Sequence, residues 1–235
     1  GFTQDCEGHL IICTTHQLFR FHKSFDLLIL DEPDAFPFSS DLTLQGFAKQ
    51  SVKGQVIYLT ATPSHELIKQ VENGEVEEIR LFRRPHNQDL VIPVCKYISL
   101  YGQFVYLKHW LNKLEENCLV FVPSIKLGNQ LSSFLGLPFV YAGHERLDEV
   151  IQNFKKDFGS HLICTTVLER GVTFENVQVA VVYANHPVFN LASLIQISGR
   201  VGRSMKYPNG KVLFLCTERK AEVSLCIDLQ VQANA

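Results

Sequence analysis

The residues best suited to chemistry are Asp31 and Glu32, which close the stretch Asp26-Leu27-Leu28-Ile29-Leu30-Asp31-Glu32-Pro33-Asp34. Four apolar residues running into two acids fit a strand buried on both faces of a parallel sheet. The acids then lie at the C-terminal edge of the sheet, where open α/β folds bind ligands. A carboxylate there can hold Mg²⁺, largely through water, because the ion keeps much of its hydration shell. Its neighbour can orient or deprotonate an attacking water. An ordinary strand ending in a solvated acidic turn would look the same on this stretch alone. A second candidate is Gln196-Ile197-Ser198-Gly199-Arg200-Val201-Gly202-Arg203. Its two arginines, three apart, are expected on one helix face. Each offers a permanently charged, rigid fork to phosphate oxygens. A glycine costs a helix about 1 kcal/mol against alanine, so the glycines here suggest that another backbone or a phosphate comes close. An exposed basic helix is the plainer alternative.

Hydroxyls supply the remaining candidates. Thr60-Ala61-Thr62-Pro63 follows an apolar run, and its side chains can hydrogen-bond a neighbouring carboxylate, Asp31 or Glu32; a simple Thr/Pro turn is the alternative. Thr165-Thr166-Val167-Leu168-Glu169-Arg170-Gly171-Val172-Thr173 places paired threonines at another strand end. Such hydroxyls and the exposed N–H groups beside them can take phosphate oxygens. In isolation the same run reads as a helical turn with a solvated Glu-Arg pair.

These residues need a scaffold that delivers them to one edge. His9–Cys13, Asp26–Leu30, Gln55–Leu59, Cys118–Val122, His161–Cys164, Val177–Tyr183 and Gly210–Cys216 are strand candidates, each leading into small or polar residues and then a helix-like stretch. Strands alternating with helices predict βαβ units and parallel sheets. Phe104, Leu107, Leu111 and Leu114 form one apolar helix face, and Leu127, Leu131, Phe134 and Leu135 another. The pattern breaks where Arg80, Arg83, Arg84 and Pro85-His86-Asn87-Gln88-Asp89 fall. We therefore expect residues 1–84 to belong to a first domain, 85–96 to be a linker, and 97–235 to form a second.

Composition narrows the partners. Hydrophobic residues make up 46% of the 235, enough for a core, and the net charge of −2 gives no global basic field. A basic groove can still exist locally. Seven cysteines, without a Cys-x-x-Cys pair, read as free thiols in a reducing compartment, and Cys13, Cys118, Cys164 and Cys216 are expected to be buried. The nine histidines show no metal-ligand spacing. No run reaches membrane-spanning length and no signal peptide is visible.

The motifs acquire a joint meaning from their order. Thr14-Thr15, Asp31-Glu32-Pro33-Asp34, Thr60-Ala61-Thr62, Phe121-Val122-Pro123-Ser124, Thr165–Thr173 and Gln196–Arg203 resemble, in sequence, motifs Ib to VI of superfamily-two helicases. Within that superfamily, Thr14–Phe21, Asp31–Pro37 and Leu168–Phe174 look like the ComFA family of bacterial competence ATPases, which help draw single-stranded DNA through the inner membrane. The resemblance implies two RecA-like α/β domains with parallel sheets, ATP bound between them and a nucleic-acid strand across both. It implies Mg²⁺ on Asp31 and water activation by Glu32. Thr60 and Thr62 would couple the nucleotide state to DNA, and Arg200 and Arg203 would reach the γ-phosphate. Gln196, Gly171 and Thr173 would lie against the nucleotide, and Thr14, Thr15, Ser124, Thr165 and Thr166 against the DNA backbone. Phe19 and Phe21 are candidates for base stacking or for the core. Implied partners are single-stranded DNA, the DNA-uptake channel and other competence proteins. The implied location is cytoplasmic, with peripheral placement at the inner face of the membrane as an option.

There are departures. Pro33 stands where the family more usually has valine. The sequence contains no Gly-x-x-x-x-Gly-Lys-Ser/Thr phosphate loop and no four-cysteine zinc module. We expect both upstream of Gly1, the first domain being N-terminally truncated, and residues 1–235 to be inactive alone. A primosome- or recombination-type helicase acting on duplex DNA and a catalytically silent DNA-binding piece are the competing readings.

Overall fold

A computed structural model describes residues 8–81, 88–169 and 172–234. It divides into two compact units, Gly1–Glu78 and Ile79–Ala235.

In the first unit, β1 (Phe25–Asp31) pairs in parallel with β2 (Val52–Leu59), and α1 (Leu42–Ser51) connects them. α1 starts where Asp41 accepts hydrogen bonds from the Thr43 and Leu44 N–H groups, a carboxylate cap at the positive helix end. α2 (His65–Glu72) follows β2 and is capped by Ser64. Leu18, Leu28, Leu30 and Ala48 form the small core. The expectation that β1 is buried on both faces is corrected here. Leu28 and Leu30 are buried, but Leu27 and Ile29 are 47% and 54% exposed, because the core covers one face of this strand pair. His9–Cys13 forms no strand. Leu10 and Ile12 are 81% and 90% exposed, and an apolar run without a neighbouring strand has no ladder to join.

The second unit is a parallel sheet with helices on both faces. Its elements are β3 (Val94–Tyr97), α3 (Leu100–Leu111), β4 (Asn117–Phe121), α4 (Ile125–Leu135), β5 (Phe139–Val140), α5 (Leu147–Lys156), β6 (His161–Cys164), β7 (Val177–Val182), α6 (Leu191–Ser198), β8 (Val212–Cys216) and α7 (Ala221–Ala233). The strand order is β3-β8-β7-β4-β6-β5. β3 begins inside the stretch expected as a linker. β4, β7 and β8 are buried almost throughout, as their continuous apolar runs require. α5, α6 and α7 pack on one face through Ile151, Phe154, Leu194, Ile197, Val223 and Cys226. α3 and α4 cover the other through Phe104, Leu107, Leu111, Leu127 and Leu131. The chain leaves β4 for β5 and β6 on one side and returns to β7 and β8 on the other. Such a reversal opens a crevice at the C-terminal strand ends.

Of the thiols, Cys118, Cys164, Cys216 and Cys226 are buried, whereas Cys13 is exposed because its segment forms no strand.

Candidate nucleotide and nucleic-acid site

The first unit builds its site at the ends of β1 and β2. Asp31 is the last residue of β1 and is exposed. Glu32 then turns into the left-handed region at φ 53, a conformation that costs a non-glycine residue about 1–2 kcal/mol. Its N–H donates to the Leu59 carbonyl at 2.9 Å, which pins the turn to β2. Backbone strain held this firmly is typical of functional positions.

The turn brings Asp34 to the threonines. Thr60 Oγ1 donates to Asp34 Oδ1 at 2.7 Å, and Thr62 Oγ1 donates to Asp34 Oδ2 at 3.0 Å. The Thr62 N–H donates to Thr60 Oγ1 at 3.0 Å and closes the clamp. The expected partners were Asp31 or Glu32, and the structure corrects this to Asp34. Asp31 pairs in register with Leu59 at the last rung of the ladder, and the turn at Glu32 returns the chain so that Asp34 meets the hydroxyls just past β2. Sequence reasoning missed Asp34, although its spacing from Asp31 was visible. A cavity of about 190 Å³ adjoins the clamp, lined in part by Leu30, Asp34, Tyr58, Thr60 and Gln70. Burial, then the nearby Glu66 carboxylate, pushes the Tyr58 hydroxyl pKa up.

Thr14 is exposed and precedes a 3₁₀ turn, Thr15–Arg20, anchored by buried Leu18. Phe19 is 59% exposed with its ring 6.1 Å from that of Phe47, while Phe21 is half-buried with its ring 4.8 Å from that of Phe25.

In the second unit, the adjacent strands β4 and β6 end together, Phe121 opposite Cys164, and lead into Ser124 and Thr165–Thr166 respectively. Ser124 caps α4, its Oγ accepting from the Leu127 N–H at 3.3 Å. The Thr165 N–H bonds the Val140 carbonyl at 3.2 Å, fixing the start of the Thr166–Leu168 turn. Burial holds the preceding Cys164 thiol well above its ordinary pKa, with the Arg200 guanidinium pulling the other way. Thr173 is exposed and Gln196 half-buried. Gly171 lies outside the described residues.

The arginines do not share a helix face. α6 ends at Ser198, Gly199 is its C-cap, and Gly202 turns left-handed at φ 68. The glycines therefore stop a helix rather than thin one. Arg200 is 5% exposed; its Nη1 donates to the Val172 carbonyl, and its guanidinium lies 5.9 Å from the Phe174 ring centre. Arg203 is exposed. The surrounding residues hold a further buried pair, since Ser193 on α6 donates to the Glu169 carboxylate at 2.6 Å.

Among the described residues no group of three or more metal-ligating side chains assembles, and no helix is long and apolar enough to cross a membrane. One exposed carboxylate at a strand end still suits Mg²⁺ carried with phosphates, which needs few protein ligands.

Comparison with known proteins gives this arrangement a family. Residues 102–205 match the helicase conserved C-terminal domain. Competence protein ComFA of Streptococcus pneumoniae is 41% identical over 237 residues, covering 93% of this chain and 55% of that protein. ComFA of Bacillus subtilis is 34% identical over 232 residues, covering 87% and 48%. The chain thus spans about half the length of these relatives. A solved structure of Saccharomyces cerevisiae Dbp5 bound to RNA and ADP BeF3 superposes with a TM-score of 0.61 over 89% of this chain and 57% of that one. At 17% identity that likeness shows the fold alone, RecA-like α/β with parallel sheets. By family, this is a ComFA-like chain of superfamily-two helicase type.

Proposed function

We propose that this chain serves an ATP-driven motor that moves single-stranded DNA during natural competence. The Asp34–Thr60–Thr62 clamp directly behind Asp31-Glu32 is the observation that carries the reading. It ties the residues suited to phosphate chemistry to a second strand end, so a change at one is felt at the other. Asp31 would hold Mg²⁺, which supplies positive charge to the ATP phosphates when bound. Glu32, set by its strained turn, orients the attacking water. Thr60 and Thr62 couple nucleotide state to DNA. Gln196, Gly171 and Thr173 are assigned to the nucleotide, Arg203 acts on its γ-phosphate, and Arg200, bonded to the Val172 carbonyl, holds the turn from which Arg203 extends. Thr14, Thr15, Ser124, Thr165 and Thr166 hold the DNA backbone. Hydroxyl and N–H contacts of this kind position a strand without reading its sequence, as carriage of arbitrary DNA requires. The working site is cytoplasmic, beside an uptake channel at the inner face of the membrane.

The test is phosphate release by the full-length protein that carries this sequence, with and without single-stranded DNA, beside residues 1–235 alone. Turnover should rise with DNA regardless of its sequence. The DNA affinity should fall steeply with salt, by about 0.7 in log–log slope for each phosphate contacted. Residues 1–235 alone should give none, because their sequence holds no phosphate loop. DNA-independent turnover in the full-length protein, or robust turnover by residues 1–235, refutes the reading.

A further inference from the structure

We propose that Glu169 is a positioning residue, and that its hydrogen bond with Ser193 passes strand binding at Thr165–Thr166 to the arginine turn at 199–203. The inference rests on the functional reading above, which assigns the two ends but not the connection.

Three observations carry it. First, Glu169 is 8% exposed and Ser193 6%, and their 2.6 Å contact has the length expected when a hydroxyl donates to a carboxylate. A carboxylate buried this far is costly unless bonded, so the pair holds its place firmly. Second, Glu169 moves with the threonines. Its N–H bonds the Thr166 carbonyl at 2.9 Å, and Leu168 between them is 1% exposed in the same core as Leu194, Ile197 and Val201. Third, Val172–Phe174 is tied to the far end of α6. Arg200 donates to the Val172 carbonyl and stacks over Phe174, whose ring also carries Lys155 Nζ at 5.3 Å and meets Phe154 edge-on at 5.5 Å.

Thr165–Glu169 is therefore held to α6 through Ser193 near the helix start, and Val172–Phe174 through Arg200 just past its end. A helix is stiff along its axis. Displacement of Thr165–Thr166 by a DNA backbone pulls on Ser193 through Glu169, and α6 delivers the displacement to Gly199–Arg203. Without the first tie, the threonines still bind DNA, but only the Arg200–Val172 tie remains and the turn carrying Arg203 responds much less.

The experiment compares the full-length protein with Glu169→Ala, Glu169→Gln, Ser193→Ala and the double Glu169→Ala/Ser193→Ala variant. Three quantities are read: the ratio of DNA-stimulated to basal ATP turnover, the single-stranded DNA affinity without nucleotide, and the melting temperature. We expect Glu169→Ala to cut the stimulation ratio about tenfold, the order expected for losing a hydrogen bond to a charged group, with DNA affinity within about twofold of the unaltered protein. Ser193→Ala should do the same and the double variant no more. Glu169→Gln keeps an acceptor for the Ser193 hydroxyl and should retain most of the stimulation. A lowered melting temperature with an unchanged stimulation ratio overturns the link and leaves the functional reading standing. Equal loss in Glu169→Gln and Glu169→Ala also overturns it. An unaltered protein whose turnover ignores DNA overturns the functional reading and the link with it.

Discussion

Removing Asp34 tests the clamp that joins the two strand ends of the first unit. Its carboxylate accepts from Thr60 at 2.7 Å and from Thr62 at 3.0 Å. Hydrogen bonds to a charged group are worth about 1.5–3 kcal/mol when buried. Asp34 is half-buried, and the adjoining cavity of about 190 Å³ gives water a route to the abandoned hydroxyls, so each bond here is worth about 1 kcal/mol. Asp34→Ala should therefore cost the local structure about 2 kcal/mol, which speeds opening about thirtyfold. Native-state hydrogen exchange at the Glu32 amide, which bonds the Leu59 carbonyl, reads that opening directly. Thr60→Val removes one hydroxyl with little change of shape and should cost about 2 kcal/mol alone, because that hydroxyl both donates to Asp34 and accepts from the Thr62 N–H. In the Asp34→Ala background it should cost about 1 kcal/mol, since only the Thr62 N–H bond is left to lose. The resulting coupling, about 1 kcal/mol, is the measure of the contact. If Thr60→Val costs as much without Asp34 as with it, the hydroxyl has its partner elsewhere, and Asp31 or Glu32 returns as the candidate.

Other outcomes follow from the second unit. Arg203→Ala in the full-length protein should lower ATP turnover about 10³-fold or more while changing nucleotide affinity only a few-fold, and lysine should not rescue it because a point charge lacks the fork; near-normal turnover removes Arg203 from the active site. Arg200→Ala should lose turnover nearly as fully, and unlike Arg203→Ala it should also lower the melting temperature, because the buried side chain gives up its Val172 bond and its packing on Phe174. Gly128→Ala should destabilise the second unit by about 1–3 kcal/mol in urea unfolding, since a Cβ there would stand 2.2 Å from the Phe139 ring; an unchanged midpoint would mean that α4 and β5 are free to separate.

What could be read in advance was what is local. An apolar run ending in a polar cluster located β1, β2, β4, β6, β7 and β8 to within a few residues, because strand length and hydropathy are properties of the run itself, whereas burial, as β1 and His9–Cys13 show, depends on the neighbours. β3 and β5 escaped, being short edge strands whose existence depends on β8 and β6. Contacts between segments were harder for the same reason. That the threonines after β2 would reach Asp34 depends on a parallel register, Asp31 opposite Leu59, and on a left-handed turn at Glu32 that a non-glycine residue rarely takes. The Glu169–Ser193 bond spans two separate elements and left no mark in spacing; in sequence Glu169 looked solvated beside Arg170.

The arginine run shows how the same letters admit two geometries. A spacing of three places two side chains on one face only while the helix lasts, and glycine is also a helix-stop signal. With α6 ending at Ser198, Arg200 folds back into the core and Arg203 continues to solvent. The two guanidiniums then do different work from neighbouring positions. Arg200 fixes the turn to Val172–Phe174, and Arg203 extends to solvent from the turn so fixed. An arginine acting on a transition state must be held in place before charge develops. A pair with one member buried meets that need better than two exposed arginines on a helix face.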